Sequence, residues 1–169
     1  MNLRNRPWTK SMAACCMAAI FSLSGCTPPQ PLSPPSAEQV PVEVRRALDH
    51  FSEVSGRGDL AAVLALFDDR ADILLVGSDK GEVYQGRPAM QAWLGQLYQA
   101  SGFSWQMDRV EISHHGETAW LFVEGKMNVR DKSNGKLRFS APYRFTGVLV
   151  KRGDRWLWRL FHGSAPGKE

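Results

Sequence analysis

From Val42 onward, apolar residues recur first at helical spacing and then in alternation. Val44, Leu48, Phe51 and Val54 share one face of a helix that Gly56 and Gly58 stop. Asp59 supplies an N-cap for a second helix carrying Leu60, Val63, Leu64 and Phe67. Ala71 to Val76 is a continuous apolar-rich run that reads as a buried strand. Gly77-Ser78-Asp79-Lys80-Gly81 then turns the chain into a short strand, Glu82 to Gln85. Pro88 opens a third helix with Met90, Trp93, Leu94 and Leu97 on one side, ended by Ser101-Gly102. Four strands follow, at about 103–113, 117–131, 136–152 and 155–162, with His115-Gly116, Ser133-Asn134-Gly135 and Gly153-Asp154 between them. Three helices followed by an antiparallel meander predict one α+β domain over residues 42–166, with a short tail, 167–169.

The long strands are apolar on both faces. On strand 117–131, Ala119, Leu121, Val123, Met127 and Val129 share one side, yet Trp120 and Phe122 occupy the other. On the last strand, strict alternation sets Trp156, Trp158 and Leu160 against Leu157 and Phe161. A sheet with one solvated face should be polar on that face. Cover for Trp120, Phe122, Trp158 and Leu160 is therefore expected from a second copy of the same sheet, a two-fold homodimer. The plainer alternative is a monomer with a few exposed aromatics.

The chain before this domain has a different character. Arg4, Arg6 and Lys10 precede an apolar run, Ser11 to Leu23, the arrangement of a secretory signal and too short for a spanning helix. Leu23-Ser24-Gly25-Cys26 resembles the bacterial lipobox, in which the cysteine is acylated and becomes the mature N-terminus. That resemblance implies a signal peptide over 1–25 and lipidation of Cys26. Cys15 and Cys16 would leave with the signal, so no disulfide is expected. Two or three acyl chains would anchor the protein stably in the bacterial envelope. Thr27 after the cysteine favours the outer membrane, facing the periplasm. Residues 26–41 hold six of the ten prolines and read as a semi-rigid spacer.

Charge removes one class of partner. The formal charge is +4, but the first 25 residues hold three basic and no acidic side chains, leaving 18 basic and 17 acidic beyond them. A near-neutral domain lacks the cationic surface that nucleic acid requires. Lys126, Arg130, Lys132, Lys136 and Arg138 do make one hairpin basic, a solvated tip or a contact for anionic lipid.

Several short motifs occur in a familiar order: Gly58-Asp59-Leu60 through Leu66-Phe67, Gly86-Arg87-Pro88, and Arg155-Trp156 through His162-Gly163-Ser164. Together they resemble the SnoaL-like branch of the nuclear transport factor 2-like superfamily, which includes ketosteroid isomerases and the hub domain of calmodulin-dependent kinase. The resemblance implies a cone: a strongly curved antiparallel sheet wrapped around three N-terminal helices, cystatin-like, with a pocket at its open end and a sheet face used for dimerisation. It also implies where isomerase groups would stand. The oxyanion tyrosine falls on Phe51 and the general-base carboxylate on Leu75, and neither side chain can do that work. The hub domain's pocket arginines fall on Gly125, Gly147 and Gly163, which either widen the cavity or mark bends in the sheet.

The remaining lining expected for the pocket is apolar: Phe51, Leu75, Trp93, Leu121, Val123, Met127, Tyr143, Phe145 and Phe161, with Arg159 as the one charge, paired to Asp72 or Glu124. His162 with Asp72 is the candidate acid/base pair. His114-His115 diverge on an extended chain, and no Cys/His/Asp cluster has metal-ligand spacing, so neither metal nor cofactor is expected. Ser164 lacks a nucleophile elbow, and residues 77–86 lack a phosphate loop. The leading reading is non-catalytic binding of a small apolar ligand. The alternatives are a dehydratase- or hydrolase-type enzyme using His162 and Asp72, and a protein-interaction module in the envelope.

Overall fold

The computed structural model describes residues 38–166; the segment read as a signal peptide, Cys26, the stretch read as a spacer up to residue 37 and the 167–169 tail lie outside the described residues. Helix α1 spans Gln39–Gly56 and buries Val40, Val44, Leu48, Phe51, Val54 and Ser55, a stripe at spacings of three and four. It starts ahead of the pattern read from Val42. Pro41 falls in its first turn, where the backbone N–H would have no intrahelical acceptor anyway. Helix α2, Leu60–Leu64, is capped by Asp59, whose Oδ1 accepts from the Ala62 N–H at 3.0 Å. Phe67, expected to continue that helix, instead forms a β-bridge to Trp158. Helix α3 spans Arg87–Leu97 with Pro88 in its first turn.

The strands are β1 (Leu74–Val76), β2 (Val83–Gln85), β3 (Ser101–His115), β4 (Thr118–Asp131), β5 (Leu137–Arg152) and β6 (Arg155–Ser164). They form one sheet in the order β2-β1-β6-β5-β4-β3. All pairings are antiparallel except β1 with β6, so the short β1–β2 hairpin extends the far side of the meander. Three register shifts, at Met107/Arg109, Val129/Arg130 and Val148/Leu149, mark bulges, the devices that bend a long sheet. Helix α1 lies against β3, β6 and β4, and the core fills the space between helix and sheet.

The third bulge changes the reading of β6. Val148 pairs with Leu160 and Leu149 with Trp158, which leaves Arg159 as the extra residue. An extra residue resets the alternation, so Trp156, Trp158 and Phe161 all point inward. Trp158 is only 1% exposed and packs against Phe51, Phe67, Phe145 and Phe161. It belongs to the core and not to the expected dimer face. The outer face retains Trp120, Phe122, Val148 and Leu160 on three neighbouring strands, and Trp120 is 48% exposed.

Candidate functional site

Between the helices and the curved sheet is a cavity of about 210 Å³. Phe51 of α1 and Val63 and Phe67 around α2 form part of its wall. Trp93, Leu94 and Leu97 of α3, with Tyr98 just beyond, form another. The sheet contributes Leu75 from β1, Phe103 and Trp105 from β3, Met127 from β4, Tyr143 from β5 and Phe161 from β6. The β1–β2 turn adds the polar part, Gly77, Ser78, Asp79 and Glu82.

Of the residues expected to line the pocket, Phe51, Leu75, Trp93, Met127, Tyr143 and Phe161 come together here. Leu121, Val123 and Phe145 do not. They are buried in the adjoining core, because self-packing fills that part of the cone. Phe51 stacks on Trp105 with centroids 5.0 Å apart, and Phe145 stacks on Phe161 at 5.4 Å. Ring against ring in this way, the aromatics occupy the interior beside the cavity and leave a small space in place of a deep funnel.

Arg159 is not a lining residue. The bulge that displaces it from the strand pairing brings it to two carboxylates, Asp68 at 3.1 Å and Asp72. Asp68 is 1% exposed and also accepts from Arg152 at 3.0 Å and from the Asp69 N–H. Burial alone would raise its pKa. The hydrogen bond and charge of Arg152, the Asp69 N–H and the charge of Arg159 together hold it below the usual carboxylate value. Glu124, the other partner considered for Arg159, pairs instead with Arg144 at 3.0 Å.

His162 and Asp72 are not brought together. His162 follows inward Phe161 on a regular stretch of β6, so its exposed side chain stands on the outer face, while Asp72 is engaged by Arg159 and Arg70. His114 and His115 end β3 with alternating burial, and among the described residues no three His, Cys, Asp or Glu side chains gather closely enough to hold a metal. Nor is any described helix long and apolar enough to cross a membrane.

Of the three glycines that the resemblance puts at the hub arginine positions, two make room for aromatic side chains. A Cβ at Gly147 would strike the Trp158 indole, and one at Gly163 would strike the Tyr143 hydroxyl. The third, Gly125, faces the backbone of Gln106 and Asp108 at the β3 bulge, where a Cβ would have no space.

The β1–β2 turn carries the site's charge, although along the chain its residues form only a hydrophilic turn without a phosphate-loop pattern. Gly77 donates its N–H to the Glu82 carbonyl at 2.8 Å, and the Glu82 carboxylate accepts the Asp79 N–H at 3.0 Å. A side chain at Gly77 would collide with that carboxylate, so the glycine admits Glu82 to the mouth. Beside it, burial pushes the Tyr143 hydroxyl pKa up. A hydrogen bond with Ser78 opposes the shift, and the charges of Glu82 and Asp79 reinforce it. Tyr98, hydrogen-bonded to Ser55 at 2.5 Å, is pushed up to about 12 by burial and stays protonated. Trp105 has an indole N–H that is shielded from solvent and has no acceptor. The alternation of β3 marks Phe103 and Trp105 as inward, the one sequence signal that could have found them.

The architecture recurs in solved structures. A candidate dehydratase of the nuclear transport factor 2-like family from Streptomyces avermitilis superposes with a TM-score of 0.67 at 19% identity, over 78% of this chain and 99% of that one. A candidate scytalone dehydratase from Novosphingobium aromaticivorans gives 0.64 at 16%, over 77% and 87%. A ketosteroid isomerase-like protein from Erwinia carotovora atroseptica gives 0.59 at 17%, over 75% and 96%. At such identities the likeness is one of fold. No functionally curated protein matches the sequence. The sequence profile of the SnoaL-like domain matches residues 44–167, so the cone seen here and the motif order along the chain have one source: this chain belongs to the SnoaL-like domain family.

Proposed function

We propose that this protein is an envelope lipoprotein, acylated at Cys26, whose SnoaL-like domain binds a small, mainly apolar ligand without transforming it. The observation that carries this reading is the cavity itself, walled largely by aromatic and aliphatic side chains, with Phe51 and Leu75 among them; the family resemblance puts the isomerases' tyrosine and carboxylate at those two positions. Without those two groups the wall lacks the family's oxyanion donor and its strand carboxylate, and the lining's own carboxylates, Asp79 and Glu82, stand on the β1–β2 turn instead. Burial of ~150 Å² of apolar ligand surface at ~25 cal/mol per Å² contributes about 4 kcal/mol, which corresponds to millimolar affinity. Tighter binding needs a polar contact at the mouth. In the same proposal the outer strip of Trp120, Phe122, Val148 and Leu160 meets its two-fold copy in a homodimer.

Native mass spectrometry of the full-length chain, released gently from host membranes, tests the reading. The expected spectrum is a dimer carrying acyl chains and a co-purifying small molecule, with the acyl mass absent from Cys26→Ala. An empty, unacylated monomer would overturn it, and turnover of the co-purifying molecule would make the domain an enzyme. A complex with a different envelope protein through Trp120 would favour the interaction-module reading.

A further inference from the structure

We infer that the ligand is an organic cation: a compact aromatic body with an ammonium group at the mouth of the cavity and a hydrogen-bond acceptor directed to Trp105. This rests on the binding reading above and specifies its chemistry. The lining contains two carboxylates, Asp79 and Glu82, and no Lys, Arg or His. Elsewhere Glu43, Asp68, Asp72, Glu124 and Asp131 each hold an Arg or Lys. Asp79 and Glu82 have no ion-pair partner among the described residues, and Lys80, between them in the turn, is not part of the lining, so the charge turned toward the cavity is negative. Their field reaches the cavity, since both charges raise the pKa of the Tyr143 hydroxyl that lines it.

The walls favour the same class of ligand. Trp93, Trp105, Tyr143 and Phe161 line the cavity with aromatic rings; Trp93, Trp105 and Phe161 each stack one face on a neighbouring ring, and a free face attracts a cation while edges and faces alike accept an aromatic ring. An organic anion would meet repulsion at the mouth and no positive group within. A second, independent observation comes from Trp105. Trp105 lines the cavity and is itself half-buried, and its indole N–H, shielded from solvent, lacks an acceptor that a ligand could supply. A ligand carrying an oxygen on the far side of its ring would supply it. The turn explains how the charge is kept in place: Gly77 leaves room for Glu82, and Glu82 in turn holds the Asp79 N–H.

The test uses three probes with one body and three charges. Tyramine is a cation, 4-hydroxyphenylethanol is neutral and 4-hydroxyphenylacetate is an anion. Each is titrated calorimetrically into the full-length protein in mild detergent. Tyramine is expected to bind at least about tenfold more tightly than the neutral probe, with the anion weakest and the preference shrinking in 1 M salt. Asp79→Asn with Glu82→Gln, which keeps side-chain size and the turn's acceptor, is expected to bring cation and neutral probe within about twofold of each other. Thermal melting of the variant shows that it is folded. Equal binding of the neutral probe, or preference for the anion, would overturn the cation assignment and leave the binding reading standing. Absence of binding by all three to millimolar concentration would overturn this inference together with the aromatic-ligand form of that reading.

Discussion

The indole of Trp158 lies over the backbone of Gly147, in the space a side chain there would need. A Cβ on Gly147 would be 3.0 Å from Cε3 of Trp158, closer still to Cζ3, and 2.8 Å from the Leu160 carbonyl oxygen. One contact is with the rigid centre of the aromatic core and the other with backbone, so neither yields cheaply. Gly147→Ala is therefore expected to destabilise the domain by about 1–3 kcal/mol, the cost of overpacking. Chemical denaturation should show a lower midpoint with an unchanged slope.

The same pair shows what could be read from the chain and what could not. Periodicity located all three helices and all six strands, because Val44, Leu48 and Phe51 on one side and alternation along β4 are local patterns. The orientation of Trp158 is not local. It depends on a bulge at Arg159, which is stabilised by Asp68 and Asp72 more than eighty residues earlier in the chain. Met127, and Phe161 beyond the β6 bulge, lie where alternation is undisturbed and are legible for the first reason. The charged rim was not, because Asp79 and Glu82 form an ordinary hydrophilic turn until β1 docks beside β6 and carries that turn to the cavity.

Asp68 is expected to make the domain acid-sensitive. Its carboxyl pKa is depressed in the folded state, net of a burial effect that acts the other way. A depressed carboxylate contributes stability above its unfolded pKa of about 3.9, and the contribution is lost as pH falls through the folded value. Asp68→Asn is expected to cost about 1.5–3 kcal/mol at pH 7, because Arg159 and Arg152 lose a charged acceptor. The variant's stability should also decline less steeply than wild type on acidification below about pH 5. Equilibrium unfolding at a series of pH values checks both.

Two tryptophans on the strands either side of β5 should fail in different ways. Trp120 is 48% exposed on the outer strip and Trp158 is 1% exposed in the core. Trp120→Glu places a charge where the second sheet is proposed to dock, so sedimentation should report a monomer with little change in melting temperature. Trp158→Ala removes a ring that meets four others, at an expected cost of about 3–5 kcal/mol, and the remaining folded fraction should still dimerise.

Gly163 controls the cavity through Tyr143. A Cβ at Gly163 would overlap the Tyr143 hydroxyl and approach Cζ to 2.8 Å. Here the obstacle is the far end of a side chain, so the ring moves before the sheet does. Gly163→Ala is expected to cost only about 1 kcal/mol of stability. Binding should suffer more than folding, since the displaced ring lines the cavity and meets Ser78 at the charged rim. Tyramine affinity is expected to fall about tenfold, or ~1.4 kcal/mol. Tyr143→Phe removes the overlapping oxygen, so in that background Gly163→Ala should lose part of its effect on stability and binding. A double-mutant cycle measures the difference as a coupling between the two sites, and strict additivity would show that the glycine and the tyrosine act independently.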